Sequence, residues 1–115
     1  MNILAIGCHP DDLEISCGGT LAKYANLGHK AFMCHIANGN LGHKVLLPDE
    51  PRAIRTKETE NAAKVIGPES INIDVGDLTV DSGTLAVTNQ VAEVIRYARP
   101  ALIITHNTAE YMTDH

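Results

Sequence analysis

The sequence contains no tryptophan, one phenylalanine and three tyrosines, which excludes an aromatic platform for stacking nucleic-acid bases. Basic residues are also scarce. Nine Lys and Arg stand against 14 Asp and Glu, giving a formal charge of −5. Such an acidic balance argues against a nucleic-acid partner or an anionic membrane surface. No apolar run approaches the roughly 18 residues of a membrane span. The opening Met1-Asn2-Ile3-Leu4-Ala5-Ile6 reads directly as a strand with no basic stretch before it, so no signal peptide is expected. Cysteine is limited to Cys8, Cys17 and Cys34, without Cys-x-x-Cys spacing. An odd, unpatterned set fits buried reduced thiols rather than a disulfide framework, and a cytoplasmic location is expected.

What is present suits one globular α/β domain over residues 1–115. The chain is 44% hydrophobic, and a chain of this length buries roughly two-thirds of its unfolded surface. Asn2 to Cys8 is a short apolar run bounded by turn residues, the pattern of a buried parallel strand. Ile15, Gly18, Leu21, Ala22 and Ala25 follow a helical spacing that Gly28 ends. Ala31 to Ala37 carries a second strand. Asn38 to Pro51, rich in Gly, Asn and Pro, is a loop longer than usual connections, the mark of a functional lid. A helix over Arg52 to Ile66, a strand over Ile71 to Val75, a helix over Thr84 to Arg99 and a strand over Ala101 to Thr105 complete the chain. Val87, Val91, Val94, Ile95 and Ala98 form the apolar stripe of that last helix. Strict alternation of strand and helix predicts a Rossmann-like, mostly parallel sheet flanked by helices.

In such sheets ligands bind beyond the carboxyl ends of the strands. Two segments fall there: His9-Pro10-Asp11-Asp12-Leu13-Glu14 and His106 to His115. Three acids within four positions repel one another unless a cation or a helix N-terminus balances them. His9 and Asp12, three apart across a proline-stiffened turn, can converge on one ion. If both strand ends open into one crevice, His9, Asp12 and His115 form a two-histidine, one-carboxylate centre with an open position. That is the composition of a catalytic zinc site, and the same donors also hold Fe(II). The plainer alternatives are an acid-rich helix start with a strand-end histidine, and a solvated histidine at the tail.

These motifs resemble the PIG-L/LmbE family of zinc-dependent N-deacetylases, which act on N-acetylglucosaminyl compounds and related small molecules. The likeness runs through His9-Pro10-Asp11-Asp12-Leu13-Glu14, Gly18-Gly19-Thr20-Leu21-Ala22, Gly28-His29, Arg55-Thr56-Lys57-Glu58, Ala62-Ala63, Asp77, Thr105-His106 and Asp114-His115. It implies His9, Asp12 and His115 as zinc ligands, Asp11 as general base, and Arg55 and Asp77 as substrate contacts. The reaction implied is acetyl removal by a water whose pKa the metal brings toward about 7. For Arg55 the plainer alternative is a solvated helix cation paired with Glu58. For Asp77 it is a turn residue.

Two departures stand out. Family members commonly carry a histidine where this sequence has Met112, and Met112 neither donates a hydrogen bond nor carries a proton. Asp114, which would orient that histidine, is then expected to lose its partner, with His106 as a substitute or as a strand-end residue bonded to backbone. The family domain normally continues further, so the resemblance implies the N-terminal part of a larger domain. A ligand at position 115 then needs something to hold it. The expected partner is a small N-acetylated substrate, and a homo-oligomer is compatible with the sequence. A non-haem Fe(II) enzyme, a non-catalytic sugar- or nucleotide-binding relative, and a relative with impaired activity are the rival readings.

Overall fold

The computed structural model describes residues 1–80, 83, 85–110 and 112–115. Seven elements alternate along the chain: β1 (Asn2–Gly7), α1 (Asp12–Asn26), β2 (Lys30–Ala37), α2 (Asp49–Ile66), β3 (Glu69–Val75), α3 (Leu85–Ala98) and β4 (Leu102–Thr105). The strands form one four-stranded sheet in the order β3-β2-β1-β4. Every neighbouring pair is parallel, the α/β arrangement that the alternation predicts. Thr84, the expected start of the last helix, and Tyr111 in the tail lie outside the described residues.

The central strands are apolar on both sides because both faces are covered. On one face Ile3, Ala5, Ala31 and Met33 pack with Leu13, Cys17 and Leu21 of α1 and Ala63 of α2. On the other, Leu4, Ile6, Phe32 and Cys34 meet Val91, Val94, Ile95 and Ala98 of α3. The stripe of α3 is therefore the one read from the sequence. That of α1 is so in part. Ile15, expected in its apolar face, is 83% exposed. The helix starts at Asp12, and Leu13 sets a face shared with Cys17 and Leu21. Ile15, two residues on, is rotated about 200° from Leu13.

The second helix begins at Asp49 rather than Arg52. Asp49 and Glu50 favour the positive end of its dipole, and Pro51 is tolerated in a first turn. The preceding loop shortens to 38–48. Of the diglycine of α1, Gly18 faces α2, where a Cβ would touch Ile66 Cδ1 at 3.5 Å, and Gly19 faces open space. All three cysteines are free and buried. Among the described residues no helix is long and apolar enough to cross a membrane.

Strand order reverses at β1, which has β2 on one side and β4 on the other. The crevice beyond the carboxyl ends of β1 and β4 is thus the topological switch point. His9 leaves β1 there and His106 leaves β4.

Candidate metal centre

The turn after β1 is built by its own polar groups. The His9 N–H donates to Asp12 Oδ2 at 2.7 Å, and the Asp12 N–H returns to the His9 carbonyl at 3.2 Å. Between them Asp11 adopts φ 121°, a region that costs an L-residue on the order of 1–3 kcal/mol. Two contacts hold it there. The Asp11 carbonyl accepts the Ile15 N–H at 3.0 Å, and Arg55 donates to the Pro10 carbonyl.

Three donor atoms from distant parts of the chain then converge. His9 Nδ1 lies 3.2 Å from His115 Nε2 and 3.7 Å from Asp12 Oδ2. His115 Nε2 is 3.5 Å from the same Asp12 oxygen. Tetrahedral bonds of about 2.0–2.1 Å place donor atoms about 3.3 Å apart, so the triangle has the size of one face of such a site. Two imidazole nitrogens and a carboxylate facing one point suit a borderline cation. The donors fit zinc, and their chemistry also fits Fe(II).

His106 is a neighbour of this triangle but not a donor to it. Its Nε2, 3.5 Å from Asp12 Oδ2, already accepts the Cys8 backbone N–H at 3.0 Å. This is the backbone-bonded, strand-end alternative. The ring nonetheless has a job. It stacks on His115 with centroids 4.3 Å apart, holding that ring in place.

Two further donor groups occur among the described residues: Cys8 with His9 and Asp114, and His106 with Glu110 and His115. Each shares a residue with the first. In the former, burial first and then the charges of Asp114, Asp12 and Asp77 push the Cys8 thiol up to about 12, so it stays a neutral thiol.

The other expected site residues surround the same opening. A cleft of about 460 Å³ is lined by His9, Asp11, Asp12, Arg55, Asp77 and His115, among others. Asp11 Oδ2 accepts from Arg55 Nη2 at 3.1 Å, so Arg55 pairs with the candidate base rather than with Glu58. Arg55 is seated under the lid loop. A Cβ on Gly39 would stand 2.6 Å from its Cδ, and one on Gly42 would stand 2.5 Å from its Nη1. Asp77 borders the cleft, yet both its oxygens are engaged by loop amides, Gly39 N–H at 2.8 Å and Leu41 N–H at 3.0 Å. It anchors the lid.

Gly42→Ala tests that seat. The added methyl meets the Arg55 guanidinium and comes within 3.2 Å of the Gly39 carbonyl, so unfolding free energy should fall by about 1 kcal/mol. On the expectation that Arg55 contacts substrate, displacing the guanidinium should still raise KM about tenfold or more, the worth of a hydrogen bond to a charged group. An unchanged KM would remove Arg55 from substrate binding.

Three relationships escape the sequence patterns. Asp114, expected to lack a partner, bonds His9 Nε2 at 2.8 Å and accepts the Leu78 N–H at 3.1 Å. Burial raises its proton affinity, but the Leu78 amide and His9 outweigh this and hold the carboxyl below its usual range. The second is the stacking of His106 on His115. The third is His35, fully buried in β2, with Nε2 3.1 Å from Glu14 Oε2. A histidine inside an apolar strand is itself the signal for this pair, since a buried polar ring needs a partner. Burial works against the Glu14 charge, but His35 wins and lowers its pKa. Glu14→Gln should therefore cost about 1–3 kcal/mol in urea unfolding. A loss confined to the range of ordinary surface substitutions would show that the pair does not anchor α1 to β2.

Comparison with known proteins follows the same lines. Residues 4–115 match the family PIG-L, described as GlcNAc-PI de-N-acetylase. An uncharacterised deacetylase of Escherichia coli K12, YaiS, is 28% identical over 98% of this chain and 61% of its own length. The crystal structure of the N,N'-diacetylchitobiose deacetylase of Pyrococcus horikoshii superposes with a TM-score of 0.89 at 26% identity, over 98% of this chain and 44% of that one. GalB, the 4-carboxy-2-hydroxymuconate hydratase of Pseudomonas putida, superposes with a TM-score of 0.90 at 22% identity, over 100% of this chain and 51% of that one. The GalB likeness shows the shared fold. The chain thus spans between about two-fifths and three-fifths of the length of these relatives. With its sheet, its strand-end motifs and its matched length, the chain belongs to the PIG-L family of GlcNAc-PI de-N-acetylase-like proteins.

Proposed function

We propose that this chain carries the metal centre of an N-deacetylase that removes acetyl from an N-acetylated sugar. The observation that carries the reading is the convergence of His9 Nδ1, Asp12 Oδ2 and His115 Nε2 in one cleft with Asp11 and Arg55. Family membership and the deacetylases among its relatives support it.

In this reading His9, Asp12 and His115 hold a zinc ion. A zinc ion bound there would supply Lewis-acid chemistry, acidifying a water and polarising an amide carbonyl. The protein's own residues do the rest. Asp11, on the rim, accepts the proton of the attacking water and passes it to the leaving amine. Met112, 45% exposed, offers no second proton, so both transfers fall to Asp11. Arg55 aims the Asp11 carboxylate through their ion pair and contacts the sugar hydroxyls. Asp77 holds the lid loop in place through the Gly39 and Leu41 amides.

Acetate release from a panel of N-acetylated mono- and disaccharides, with and without added zinc, tests the proposal. Zinc-dependent release is expected. Turnover that instead consumes O₂ with iron would assign the centre to the Fe(II) class.

A further inference from the structure

His9 occupies the middle of two opposed contacts. Its Nδ1 faces the donor triangle, and its Nε2 faces Asp114 Oδ2 at 2.8 Å. The Asp114 side chain is only 2% exposed, so this is a shielded charge-assisted contact rather than a surface pair. The same Asp114 oxygen accepts the Leu78 N–H, and Cys8 Sγ lies 3.8 Å from the same His9 nitrogen, too far to rival the carboxylate. Among the described residues His9 is the one histidine paired with this carboxylate.

We propose that Asp114 is the positioning residue of the centre, holding His9 with its proton on Nε2 and its Nδ1 lone pair aimed at the ion. An imidazole has two neutral tautomers, and only the Nε2–H form presents Nδ1 as a donor. A carboxylate beyond the ring selects that form and fixes the ring plane. The Leu78 contact extends the effect. The turn 76–79 carries Asp77, which grips the lid at Gly39 and Leu41, and Leu78, which grips Asp114. Lid and metal centre are thereby tied through one turn. This role rests on the metal-centre reading above.

The test is zinc affinity, measured by competition with a chromophoric chelator on the full chain. Asp114→Ala should bind zinc about 10- to 100-fold more weakly than wild type. Asp114→Asn, whose side-chain carbonyl still accepts the Nε2–H, should recover most of that loss. A role confined to stability would lower the melting temperature of metal-free Asp114→Ala without weakening its zinc affinity, and an affinity within about twofold of wild type would overturn the proposal. Nitrogen-15 NMR of metal-free wild type gives a reading that no folding defect can imitate. The Nε2–H tautomer of His9 is expected, and the Nδ1–H tautomer would overturn the assignment. Failure of wild type to bind zinc would remove the centre itself, and this inference with it.

Discussion

Replacing Asp11 by Asn is expected to leave zinc content intact and to lower turnover by about 10²–10⁴-fold, the usual worth of a positioned general base. The structural grounds are separable from the metal. Asp11 is 58% exposed at the cleft, whereas the three donor atoms converge beside it. Its backbone is held at an unfavourable φ by hydrogen bonds to the flanking carbonyls, an arrangement worth maintaining where side-chain direction matters. Asn keeps the size, accepts from Arg55 and fits the same turn, so folding and metal binding should persist. It cannot take a proton. Because Met112 offers no alternative route, the loss should appear in kcat with little change in KM. Turnover near the wild-type value would exclude Asp11 from proton transfer.

The second large effect is expected on metal removal. The donor triangle brings two imidazole nitrogens within 3.2 Å and a carboxylate within 3.7 Å, a preformed site that the unfolded chain lacks. Zinc at 100 times its Kd should then stabilise the fold by about 2.7 kcal/mol. For a domain of this size that corresponds to a rise in Tm of roughly 10 °C. A chelator should reverse the rise, and His9→Ala should not show it. Acetyl release should disappear and return with the metal. An equal zinc-induced rise in His9→Ala would place the ion elsewhere.

Much of the architecture was legible because alternation carries it. Two-sided apolar strands at Asn2–Gly7 and Lys30–Ala37 and the stripe of Val91, Val94, Ile95 and Ala98 dictate a covered parallel sheet. Its switch point then selects the strand ends that carry His9 and His106. In α1, Gly18 and Leu21 face the core as read, but Ile15 points away from it because Leu13 and Cys17 take that side. The contacts of Arg55, Asp77 and Asp114 were not legible for a different reason. Each joins segments separated by 36–44 positions, and a lone charged side chain announces no partner. Asp114 is the clearest case. The sequence offers it no histidine at 112, and only the fold supplies the one at position 9.

The proposed chemistry depends on one ion at one place. Metal content per chain, measured by mass spectrometry on untagged protein, tests that most directly when wild type is set beside His9→Ala and His115→Ala. About one zinc per wild-type chain, lost from both variants, is the predicted result. Zinc absent from wild type purified with the metal present, or retained undiminished by both variants, would contradict it.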